Sequence, residues 1–412
     1  MIPDLHIEDY SYPLTDERIA KYPLPERDSS KLLVYQDGAV SDYTFSDIPG
    51  LLPKSALMVF NDTRVVPARL HFRRKTGAHI EVFCLEPVEP ADYNLSFSSC
   101  SECTWKCVIG NAKRWKDGIL DLNLPELSLT AELLSRDSRT GTVRFRWDSG
   151  IPFSRVLELC GNIPIPPYLG RDTEALDIER YQTLYARIRG SVAAPTAGLH
   201  FTDRVLSEID SKGIERAEVC LHVGAGTFLP VKTSDVREHP MHREPFIVTR
   251  ALLEKLKNSS LNSRPVVAVG TTSVRTLESL YYAGVSCIEK GVPEDIAQWS
   301  PYEREYQYST AEALDALIAY LDRESLDSLS LGTRIIIVPG FTFRIVDALV
   351  TNFHQSESTL ILLVSAFVGG DWRTIYDHAL GNGYRFLSYG DSSLLFRPDS
   401  AQTKAADGHI LK

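Results

Sequence analysis

PVVAVGTTSVRTLESLYYAG, residues 265–284, decides the fold class. It opens with an uninterrupted apolar run of the kind a strand shows when both of its faces are covered. The remainder reads as a helix: Val274, Leu277, Leu280 and Tyr281 share one face, and Gly284 is expected just past the end. A strand running straight into a helix is the pattern of an α/β protein. It leaves Thr271, Thr272 and Ser273 at a helix N-terminus, where free N–H groups and the positive end of the dipole favour a carboxylate or phosphate. Arg275 and Glu278, three apart, are expected to orient one another at the edge of the apolar stripe.

The same pattern recurs on either side. Lys31–Tyr35 and Ala56–Phe60 read as strands, and Asn61, Asp62, Thr63 and Arg64 follow the second of these. IIIVP (335–339) and DALVTN (347–352) read as two more, the latter ending at Asn352-Phe353-His354 before a hydrophobic helix at Leu360. In an open α/β sheet ligands bind at the C-terminal ends of strands, so these polar clusters are site candidates. SVAAPTAGLHFT (191–202) reads as a working loop. Its small residues let a ligand approach the backbone, Gly198 admits positive φ, and Thr196 and His200 supply hydrogen-bonding groups. Glu179-Arg180-Tyr181 is expected to open a short helical run towards Ala186. VCLHVGAGTFLPV (219–231) is a strand ending in Gly224, Ala225, Gly226 and Thr227, half of a dinucleotide fingerprint without its third glycine or helix.

From about Val66 to Gly150 the period changes to two: Ile80–Leu85, Thr104–Ile109 and Val143–Trp147 read as short strands between turn-rich links. The expected fold class is α/β, a large mixed α/β sheet domain with an inserted small β-barrel domain. Residues 1–66 and 151–412 would build the large domain and 67–150 the barrel. Residues 285–332 form an extra segment, in which Ser309 and Glu312 make a capping-box pattern, and the polar C-terminal tail is expected to be disordered.

Net charge is −10, yet the inserted segment carries twelve Lys and Arg against eleven Asp and Glu. It is therefore the candidate for meeting phosphate, with Arg73, Arg74, Lys113, Arg114, Arg144 and Arg146 as a basic surface and Trp105 and Trp115 beside it to stack on bases. Each of these residues taken singly reads as a solvated strand face. Seven cysteines, an odd number, argue for reduced thiols. Cys100, Cys103 and Cys107 lack a second ligand pair, and Pro240 separates His239 from His242, so no metal site is expected. The N-terminus has no secretory pattern, and the longest apolar run, 360–368, is far short of the roughly 20 residues of a bilayer span. A cytoplasmic monomer with no membrane contact is the expectation.

Eight blocks carry a resemblance: FNDTRVVPARL (60–70), IPIPPYLGR (163–171), RYQTLYA (180–186), the 191–202 loop, HVGAGTFLPV (222–231), AVGTTSVRTLES (268–279), VDALVTNFH (346–354) and YRFLSYGD (384–391). In this register the chain resembles the S-adenosylmethionine:tRNA ribosyltransferase-isomerases of the queuosine pathway. The resemblance implies transfer of the ribosyl moiety of S-adenosylmethionine to an aminomethyl-deazaguanine in a tRNA anticodon, with loss of adenine and methionine. It also implies no cofactor, S-adenosylmethionine being a co-substrate.

Within that reaction the expected roles are as follows. His200 or His354 takes or relays a proton, with Arg275 and Glu278 completing the catalytic set. Arg275 and the amides of Thr271, Thr272 and Ser273 hold the methionine carboxylate. Ala194, Pro195, Thr196, Ala197, Gly198 and Leu199, with His222, Gly224, Gly226 and Thr227, line the adenosine. Asp62, Thr63, Arg64, Arg69, Arg73, Arg74 and Asn352 meet the tRNA base or its phosphates. Three features depart from the family pattern: the cysteine cluster, the long 285–332 segment, and Gln355-Ser356 where Leu-Pro is usual. A branch acting on another acceptor, an α/β enzyme for a small nucleotide or phosphorylated substrate, and a non-catalytic RNA-binding module stay open beside this reading.

Overall fold

The computed structural model describes residues 3–74, 76–115, 118–137, 140–222 and 233–398. Its spine is a nine-stranded mixed sheet, ordered Ser328–Thr333, Glu244–Thr249, Glu215–Leu221, Leu57–Asn61, Val266–Val269, Ala348–Asn352, Ser392–Phe396, Lys31–Gln36, Ala39–Thr44. Four neighbours in its centre, those beginning at Glu215, Leu57, Val266 and Ala348, run parallel. The last three of these are buried along their whole length. That double burial is why their sequences are continuous apolar runs rather than alternating ones. Apolar clusters cover the sheet on both faces, one around Leu277, Leu314 and Phe353, the other around Met58, Phe201 and Val350.

Because the central strands are parallel, their C-terminal ends lie side by side. Asn61, Gly270 and Asn352 therefore come from distant parts of the chain to one edge of the sheet. The helix after Val266–Val269 begins at Thr271 and ends at Lys290, where Gly291 (φ +80°) supplies the left-handed cap. Gly284 was expected as the stop, but it lies inside the helix. A Cβ there would sit 2.2 Å from the carbonyl oxygen of Ala313, so it marks the point where the helix Thr310–Glu324 crosses at backbone contact. That helix carries the capping box seen in the sequence, with Ser309 and Glu312 reciprocally bonded. The segment 285–332 is thus integral: it supplies this helix and an edge strand of the main sheet.

The second sheet has seven strands, ordered Gly161–Asn162, Arg69–Arg73, His79–Glu89, Glu102–Gly110, Thr140–Trp147, Leu127–Asp137, Ile119–Leu124. It curls until the strands at Arg69 and Ile119 approach, with no ladder between them among the described residues, a half-barrel rather than a closed one. Its strands extend to Asn162, beyond the boundary at 150 that the sequence suggests. Trp105 and Trp115, expected to face bases, are fully buried in this lobe's core with Phe145 and Phe153. Arg144 and Arg146 do lie on one strand face, but each is within 4.0 Å of Glu132 and Arg146 also meets Glu102. Cys103 and Cys107 lie on the Glu102–Gly110 strand, Cys107 facing Cys84 across the ladder, and Cys100 is exposed in the preceding turn.

Other local expectations change with the tertiary context. Residues 335–339 form no strand, and the helix before Tyr181 spans Ala175–Arg180. Gly224, Gly226, Thr227 and the tail after residue 398 lie outside the described residues. No helix among those described is long and apolar enough to cross a membrane.

Gly284→Ala places its methyl against backbone that cannot step aside. It is expected to cost about 1–3 kcal/mol, read as a lowered urea midpoint with an unchanged slope.

Candidate active site

Three strand-end segments close on one chamber. Ala193–Ala197, Gly270–Thr272 and Thr351–Gln355 line a cavity of about 90 Å³, completed by Tyr168, Ser358, Leu360, Leu387 and Ser388. The helix that starts at Thr271 has no side-chain cap, so its first amides stay available. Thr272 Oγ1 and Asn352 Oδ1 are buried without a hydrogen-bond partner. Unsatisfied buried polar atoms are rare in folded proteins, and two on one cavity wall mark where a polar ligand is received.

His200 stands behind this wall. Its Nδ1 is 2.8 Å from Ser30 Oγ, its Nε2 is 3.1 Å from Asn352 Nδ2, and its ring stacks on Phe45. With Asn352 donating to Nε2, the imidazole is the neutral Nδ1–H tautomer, and Asn352 Oδ1 is left without a partner. Burial, with help from the Arg385 charge, lowers the His200 pKa to about 4. Both ring nitrogens are engaged, so His200 holds Asn352 in place.

His354 lines the chamber itself. Its Nε2 is 2.9 Å from Thr351 Oγ1, its backbone N–H donates to Tyr376 Oη at 3.0 Å, and its carbonyl accepts from Tyr12 Oη. Burial lowers its pKa to about 4. If Nε2–H donates to Thr351, the Nδ1 lone pair is free, and no protein partner for it exists among the described residues. Of the two histidines, this one has the geometry of a proton acceptor.

A second, wider space of about 540 Å³ lies between the two lobes, and it shares Ser358 and Leu360 with the chamber. Arg69, Phe83, Tyr93 and Lys106 line it on one side; His222, Glu244, Arg275 and Ile335–Ile337 line it on the other. Arg275 is buried here. Its Nη1 pairs with Glu244, its Nε donates to the Ile335 carbonyl at 3.2 Å, and its Nη2 has no partner. The expected Arg275–Glu278 pairing is corrected. Glu278 is fully buried and accepts the backbone N–H groups of Arg344, Ile345 and Val346 at 2.8, 3.1 and 2.9 Å. Its carboxylate holds that loop and is spent there.

The remaining expected residues are dispersed. His222 stacks on Tyr93 in the interlobe space, packs against Gly190 and does not line the chamber. Asp62 and Thr63 are buried; burial, reinforced by Glu218, raises the Asp62 pKa to about 6. Arg64 is exposed, Arg73 contacts His79, and Arg74 donates to the Arg114 carbonyl on the half-barrel. Gly198 does not use positive φ: a Cβ there would lie 2.0 Å from Tyr185 Oη, so close packing is what requires it. Leu199 is buried and does not line the chamber, whereas Ala197 does. Glu244, Ser30 and Tyr168 escaped the sequence reading as site residues. Only Tyr168 had a signal, its place in the IPIPPYLGR block.

Residues 7–395 match the model of a family described as queuosine biosynthesis protein. The S-adenosylmethionine:tRNA ribosyltransferase-isomerase of Trichlorobacter lovleyi is 38% identical over 393 residues, covering 94% of this chain and 99% of that one. The protein of the same name from Azoarcus sp. is 38% identical over 398 residues, covering 96% and 99%. A solved structure, the S-adenosylmethionine tRNA ribosyltransferase of Thermotoga maritima, is 28% identical and covers 94% of this chain and 100% of its own, with a TM-score of 0.46.

A histidine whose folded pKa lies near 4 stabilises fully above the unfolded value of about 6.5, and that contribution is lost as pH falls towards 4. The stability gap between wild type and His354→Asn should therefore narrow by about 2–3 kcal/mol between pH 7 and pH 4.5. Urea unfolding at each pH measures it, and a constant gap contradicts a buried neutral imidazole.

Proposed function

Because the chain belongs to the queuosine biosynthesis protein family, we propose that it moves the ribosyl moiety of S-adenosylmethionine onto the 7-aminomethyl-7-deazaguanine of a tRNA. The sugar is isomerised to the cyclopentane epoxide of epoxyqueuosine, and adenine and methionine leave. The sulfonium of the co-substrate acidifies the neighbouring C5′ protons and provides a leaving group. What the protein must add is a base, an anchor for each end of the co-substrate, and exclusion of water.

The observation that carries this reading is that a small polar chamber and a wide interlobe space adjoin, with Ser358 and Leu360 in the walls of both. The chamber walls at Ala193–Ala197 and Thr271–Thr272 would receive the adenine end, and Asn352 Oδ1 and Thr272 Oγ1 are the polar groups ready for it. Arg275 Nη2 would take the methionine carboxylate, its direction set by Glu244 and the Ile335 carbonyl. The sugar then lies in the chamber beside His354, which accepts the proton at Nδ1. The tRNA base enters through the interlobe space past Arg69 and Tyr93. Asp62, Thr63, Arg64, Arg73 and Arg74 line neither space and have no assigned part in this reading.

One observation favours a second reading. Gln355, one of the two residues that depart from the family pattern, lines the chamber itself, so a branch with a different acceptor is the alternative. Incubation with S-adenosylmethionine and deazaguanine-bearing tRNA, followed by mass analysis of the digested nucleosides, separates the two. Epoxyqueuosine supports the first reading; adenine release with another adduct supports the second.

Arg275→Gln should raise KM for S-adenosylmethionine roughly tenfold or more and leave KM for tRNA within about twofold. His354→Ala should lower kcat by about 100-fold or more while thermal unfolding stays that of a folded protein. Turnover within about tenfold of wild type would remove His354 as the base.

A further inference from the structure

Apart from Arg64, the basic residues that the sequence offered for RNA lie on the half-barrel, but the structure gathers three other arginines against the active site. Arg27, Arg180 and Arg385 line a small cavity whose inner wall includes His200 and Ser388. Ser388 also lines the chamber, and His200 reaches it through Asn352. Two elements of the site therefore separate this cavity from the reacting groups.

Two of the three guanidinium groups carry charge that no nearby carboxylate balances among the described residues. Arg27 donates to the carbonyls of Gln182, Leu199 and Glu179 at 2.9, 3.2 and 3.1 Å. Arg180 donates to those of Pro25 and Leu24 at 3.2 and 2.6 Å, and its buried Nε has no partner. Neither has a carboxylate within 4.0 Å among the described residues. Arg385 alone does, Asp391 at 3.5 Å, and that carboxylate already accepts the backbone N–H groups of Lys31 and Arg385. Carbonyls orient guanidinium groups but leave their charge. Like charges held together and partly desolvated call for an anion, and the planar fork of arginine matches phosphate. The open volume, about 20 Å³, admits one oxygen atom. A phosphate would therefore sit at the mouth with a single oxygen inserted.

We propose that Arg27, Arg180 and Arg385 form a phosphate site that grips a backbone phosphodiester of the RNA strand bearing the reacting base, and so sets that base against the chamber. The site rests on the tRNA-acceptor reading above. It adds a contact on the large domain to those expected on the half-barrel.

Arg385→Gln removes the guanidinium with the fewest carbonyl contacts, a single one to Tyr22 at 3.5 Å among the described residues. Binding of deazaguanine-bearing tRNA should weaken about tenfold or more. The slope of log K against log salt should shrink by about 0.7, the loss of one single-strand phosphate contact. S-adenosylmethionine binding without tRNA should be unchanged. Arg385→Lys should restore the salt slope, and Arg180→Gln should repeat the loss if the first variant proves unstable. Arg216→Gln, at the exposed pair with Asp210, serves as the control without effect. Wild-type affinity and slope in both glutamine variants would overturn the phosphate site alone, as would weaker binding with an unchanged slope. Wild-type protein that neither binds this tRNA nor releases adenine in its presence would overturn the acceptor reading and the phosphate site together.

Discussion

A buried imidazole ties the structure together. His200 reaches Ser30 with one nitrogen and Asn352 with the other, so a single ring joins the N-terminal segment, the 191–202 loop and the end of a central strand. A polar ring in this position is tolerated because both nitrogens are satisfied, and losing either partner would leave a costly orphan. The loop must therefore sit where the central parallel strands end. The chamber follows from that placement.

The second organising contact is the buried pair of Arg275 and Glu244. A buried ion pair is weak evidence for stability, because desolvation cancels much of the attraction. Its effect here is placement. Glu244 begins a strand that pairs with Ser328–Thr333, and Thr333, its register partner, is bonded through its hydroxyl to Ser279 at 2.8 Å. The segment that looked like an addition in the sequence thus backs the residue that aims the guanidinium. Its helix locks to the same long helix at Gly284, so Arg275 is held from both sides.

Charge is distributed by a similar logic. Arg144 and Arg146 of the half-barrel are paired with acidic residues on its own strands, and its tryptophans are consumed by its core. Unbalanced positive charge collects instead on the large domain behind His200. A chain of net charge −10 can present a phosphate-seeking surface in this way, because local convergence rather than overall composition sets the field.

Much of this was legible from local pattern. Continuous apolar runs identified the central strands, Ser309 with Glu312 announced a helix start, and alternation marked the second lobe, because these signals depend on near neighbours. The 193–197, 270–272 and 351–355 segments were recognisable as site material by their small and polar residues at strand ends. By itself the sequence determined the α/β class, the inserted β lobe and the family. Only the tertiary structure decided that Arg275 faces Glu244 instead of Glu278, that His200 braces Asn352 while His354 faces the chamber, and that Gly198 and Gly284 are packing sites. Each of those outcomes depends on a partner tens to hundreds of residues away, and no local period encodes which distant side chain will share a desolvated space.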